Sequence, residues 1–64
     1  MDDDTEDLAI QLCTQIGMMM EDASVAALTI GGLEPADRPA ALLKIERASS
    51  HIHALMTAAK ALLV

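Results

Sequence analysis

Two stripes of small and aliphatic residues, mirrored about a Gly-Pro cluster, constrain this chain more than any other feature. In the first half Ala9, Leu12, Ile16, Met19, Ala23, Ala26 and Ile30 recur at alternating spacings of three and four. In the second half Ala41, Ile45, Ala48, Ile52, Leu55, Ala59 and Leu62 do the same. Because 3.6 residues make a helical turn, side chains spaced this way line one side of an α-helix, about three heptads in each half. Between the stripes lie Gly31-Gly32, Pro35 and Pro39, and Gly17 is the only other glycine. Ala, Leu, Met, Glu, Gln and Lys dominate both flanks, and all are good helix formers. The spacing predicts one all-α domain over 1–64, an antiparallel helical hairpin with helices at about 4–30 and 37–63.

The expected helix ends carry start and stop signals. Residues 1–7 form an acidic N-terminal cap, in which Asp3 or Asp4 caps the first helix and Glu6 or Asp7 answers three residues on. Negative charge there suits the positive end of the helix dipole. Gly31 is expected to take the left-handed conformation just past the first helix. Asp37 is expected to cap the second, with Pro39 in its first turn, where a missing N–H costs nothing.

A third position beside each stripe is also apolar or small: Cys13, Met20 and Ala27 in one half, Leu42, Ser49, Met56 and Leu63 in the other. A stripe that wide asks for more than one neighbouring helix. In a lone hairpin each helix has only one. Two hairpins give every helix two neighbours, so the expected assembly is a homodimer forming a four-helix bundle. Its core would hold Leu12, Ile16, Met19, Ile30, Ile45, Ile52, Leu55 and Leu62. Alanines between them allow close approach of helix axes, with Ile and Leu filling the space opposite. The expected core is a rigid scaffold and not a roomy pocket.

Charge narrows the partners. Ten Asp and Glu against four Lys and Arg leave −6, and no Phe, Tyr or Trp is present. Nucleic-acid binding needs clustered bases or stacking aromatics, so it is not expected. Anionic membrane surfaces are disfavoured for the same reason. No apolar run approaches the roughly 18–20 residues of a membrane span. The start Met1-Asp2-Asp3-Asp4 is unlike a basic signal peptide, and the single Cys13 has no partner for an internal disulfide; both point to the cytoplasm. Residues 1–33 hold seven acids and no base, while 34–64 hold three acids and four bases. That asymmetry favours side-by-side pairing of the two halves, with Lys60 near the acidic start.

The chemistry-bearing residues read mostly as structure. His51 and His53 are two apart, hence about 200° apart on a helix, and cannot chelate one ion together. They read as flank histidines; the alternative is a metal or ligand site assembled across the dimer. Asp2–Asp7 lacks the Gly turn and ligand spacing of a calcium loop. Met19 and Met20 are expected in the core, with Met18 outside. Cys13 reads as a buried, inert thiol, since no base lies on its helix to activate it. No phosphate loop, nucleophile elbow or metal-ligand spacing accompanies Ser24, Ser49, Ser50 or the histidines, so no catalysis and no cofactor are expected.

Ile10, Met18, Val25 and Leu28 fall outside the first stripe, near Glu21 and Asp22. They are the best candidates for a surface that meets another protein. The reading is therefore a small homodimeric protein–protein interaction or regulatory module. The alternatives are an accessory subunit of a larger enzyme and a metal-binding bundle.

Overall fold

A computed structural model describes residues 3–64. Met1 and Asp2, and with them the start of the acidic cap, lie outside the described residues. The chain is all-helical: α1 (Asp3–Thr29) and α2 (Arg38–Leu63) pack along one another as a hairpin. At 27 and 26 residues they are each about 40 Å long.

The stripes meet each other. Ala9, Ile16, Ile52 and Ala59 are buried, and the other positions of both stripes are half-buried. Apart from Thr5, which continues the first stripe by one step, every remaining described residue is exposed. The pairing is antiparallel. Near the turn, Met19, Ala23 and Ala26 share a groove with Ile45 and Ala48; at the open end Thr5 and Glu6 lie beside Leu62–Val64. Lys60 in the last turn of α2 stands at the same end as the acidic first turn of α1.

The turn departs from expectation. Among the described residues no glycine has positive φ, so Gly31 is not a left-handed stop. Instead α1 tightens into a 3-10 turn over Ile30–Gly32, closed by the Leu33 N–H donating to the Ile30 carbonyl at 3.2 Å. Glu34 is extended, as the ring of Pro35 demands of its predecessor. A second 3-10 turn, Pro35–Asp37, leads into α2. Arg38 completes the junction by donating from Nη2 to the Gly31 carbonyl at 3.1 Å. A cation on an orphan carbonyl beyond the C-terminal end of a helix is favourable, and here it does part of what a left-handed glycine would do.

Asp37 does not cap α2 with its side chain. Its backbone is already helical (φ −92°, ψ −14°), whereas a capping carboxylate needs extended backbone to reach the next amides. Asp3 and Asp4 are likewise inside the first turn of α1 and not before it. Pro39 sits in the first turn of α2, as expected.

Two predictions test this packing. Ile52→Ala, in the seam, should cost about 2–5 kcal/mol in denaturant unfolding followed by circular dichroism, against roughly 0.5 or less for exposed Leu28→Ala. Gly31→Ala should stabilise by about 0.4–1 kcal/mol, because its φ is not positive and an added Cβ meets no atom within 4 Å. A loss on Gly31→Ala would restore the left-handed stop.

Candidate interaction surface

Because the hairpin is one layer of helix, it has two broad faces and two narrow outer edges. Its extents are 51 × 15 × 11 Å. Side chains one residue after a seam position that is followed by a gap of four lie on the same side of both helices in an antiparallel pair. These are Cys13, Met20 and Ala27 from α1, with Leu42, Ser49, Met56 and Leu63 from α2. All seven are exposed and none is charged. The placement together of Glu6 and Leu63, the same positions at the open end, agrees with this.

The opposite broad face is mixed. Leu8, Gln15, Asp22 and Thr29 from α1 accompany Lys44, His51 and Ala58 from α2, and all are exposed. Here three alanines, Ala23, Ala26 and Ala48, converge and leave an open groove of about 250 Å³ with Asp22 and Lys44 on its lips. The seam was expected to be filled throughout by Ile and Leu. At this level too little side-chain volume is available, because consecutive alanines on α1 meet a third on α2.

Within one chain neither Met20 nor Cys13 is sheltered. Met20 is 50% exposed and Cys13 is an exposed free thiol, not buried in the core. The reason is geometric: the flanking position faces past the single neighbouring helix, which covers only the stripe itself. The eight expected dimer-core residues sit in the seam within one chain. Ile16 and Ile52 are buried there, and the other six remain half-buried.

Ile10, Met18, Val25 and Leu28 are exposed, Leu28 to 83%. Met18, Val25 and Leu28 follow at spacings of seven and three along the outer edge of α1, and Glu21 lies one turn before Val25. Ile10 directly follows the seam residue Ala9 whereas Met18 directly precedes Met19, so the two leave α1 on opposite flanks and Ile10 stands apart from that row. Asp22 departs from the expected ring altogether, since it turns toward α2 and the groove.

His51 lines a shallow surface depression with Glu46, Arg47 and Ser50. His53 lies on another side of α2, where its carbonyl accepts a hydrogen bond from the Thr57 hydroxyl at 3.1 Å. Among the described residues no three His, Cys, Asp or Glu side chains come together as a metal site. Buried side chains among them are all apolar. No described helix is long and apolar enough to cross a membrane.

Comparisons with protein-family models, curated proteins and solved structures find no match to this chain.

Zinc or nickel should leave the melting temperature of the wild type and of a His51→Ala/His53→Ala variant unchanged. A bound ion at 100 times its Kd would add about 2.7 kcal/mol, a readily measured rise. A rise in the wild type that vanishes in the variant would reveal a histidine site between copies.

Proposed function

We propose that this chain is a small homodimeric protein–protein interaction or regulatory module of the cytoplasm, without catalysis of its own. The observation that carries the reading is surplus surface. One chain exposes 4992 Å², about 1,100 Å² more than the roughly 3,900 Å² usual for a compact monomer of this mass. Its radius of gyration is 15.0 Å, against about 10.7 Å for a globular domain of this length. A stable interface covers about 800 Å² on each partner, so one second copy is of the right size to take up the surplus.

A third party would meet the outer edge of α1. The row Met18, Val25 and Leu28, with Glu21 beside it, offers apolar contact next to negative charge. That chemistry suits a basic, amphipathic segment. Docking, with no bond made or broken, is the mechanism.

Sedimentation equilibrium at micromolar concentration should give twice the 6.7 kDa chain mass, with a melting temperature that rises with concentration. A compact, cooperatively melting 6.7 kDa species would overturn the reading. Val25→Lys with Leu28→Lys should keep the dimer mass and helicity while losing partner capture. Capture that survived would move the partner off this edge.

A further inference from the structure

We infer that the second copy seats on the broad face carrying Cys13, Met20, Leu42, Met56 and Leu63, where Glu6 at the open end is the one charged flanking residue among those described, and not on the face carrying Asp22 and Lys44. The inference rests on the dimeric reading above and adds which surface makes the dimer.

Two observations single out that face, and a third, common to both broad faces, gives the size of the contact. The first is exposure: Met20 at 50%, Leu42 at 58%, Met56 at 39% and Leu63 at 61% are large apolar side chains left in water by their own chain. The second is charge. From Cys13 to Ala27 on α1 and from Leu42 to Leu63 on α2, every side chain at the flanking position is neutral. On the opposite face a second copy would have to strip water from Asp22 and Lys44, and desolvating a charged pair offsets much of what contact returns. The third is area. A broad face of 51 × 15 Å presents about 750 Å², close to the share that a standard interface takes from each partner.

A second hairpin laid on this side would shelter the flanking row. Every helix would then have two neighbours. The outer edge of α1, with Val25 and Leu28, stays free for another protein.

Charge placed on each face in turn distinguishes the two. Met20→Glu with Met56→Glu should weaken dimerisation by at least about 100-fold in sedimentation equilibrium, as expected for burying unpaired carboxylates at a contact. Gln15→Glu with Ala58→Glu, the same charges on the other face, should leave the dimer in place. A thiol readout covers the case in which the first variant fails to fold. In the wild type, the rate at which Cys13 reacts with a thiol reagent should fall about ten-fold as concentration carries the chain from monomer to dimer. Gln15→Cys, in a Cys13→Ser background, should react at one rate throughout.

A wild type that stays monomeric sinks the dimeric reading itself. A dimer whose mass survives Met20→Glu/Met56→Glu, or in which position 15 is protected and Cys13 is not, leaves that reading standing and overturns the choice of face.

Discussion

Contact between the two apolar stripes, one from each helix and running in opposite directions, is the interaction on which the rest of the molecule depends. Ala9 and Ala59 toward the open end, and Ile16 and Ile52 nearer the middle, are its buried points. The small side chains let the helices approach closely, and the branched ones fill the space between. Without this seam neither helix has a sheltered face. The polar work of the hairpin is done at the turn, where Arg38 reaches back to the Gly31 carbonyl and joins the end of one helix to the start of the other.

Two helices make a sheet one helix thick, and such a sheet has a seam but no interior. Chemistry-bearing side chains such as Cys13, Ser49, His51 and His53 therefore stand in solvent. They lack the low-dielectric surroundings that strengthen hydrogen bonds. The surface carries the functional potential instead. It is divided into a broad face that is neutral from Cys13 to Ala27 and from Leu42 to Leu63, a broad face that carries Asp22 and Lys44, and an apolar outer edge on α1. In the proposed reading, assembly would take one broad face and partner recognition the outer edge of α1, so one would not block the other.

Much of this was legible before any coordinates. The spacing of Ala9 through Ile30 and Ala41 through Leu62 specified which residues meet, since a helical period leaves little freedom once both flanks favour helix. The exposed row of Val25 and Leu28 followed from the same period. Local chemistry at the turn was less legible. Gly31 and Asp37 had the right residue types for a left-handed stop and a cap, yet tandem 3-10 turns satisfied the chain another way. Residue type states what a position permits, while the path of the chain between two packed helices selects among the permitted forms. The exposure of Met20 and Cys13 in one chain has a related cause: a flanking position belongs to a core only if a second neighbour is there to cover it.

By itself, then, the order of residues determined helix, hairpin and seam, because these follow from periodicity and nearest-neighbour propensity. What only the tertiary structure decided is the fate of side chains just off the stripe, the turn's bonding and the cleft at Ala23, Ala26 and Ala48. Those depend on how far one helix can shadow another, a matter of distance and volume that no one-dimensional pattern contains.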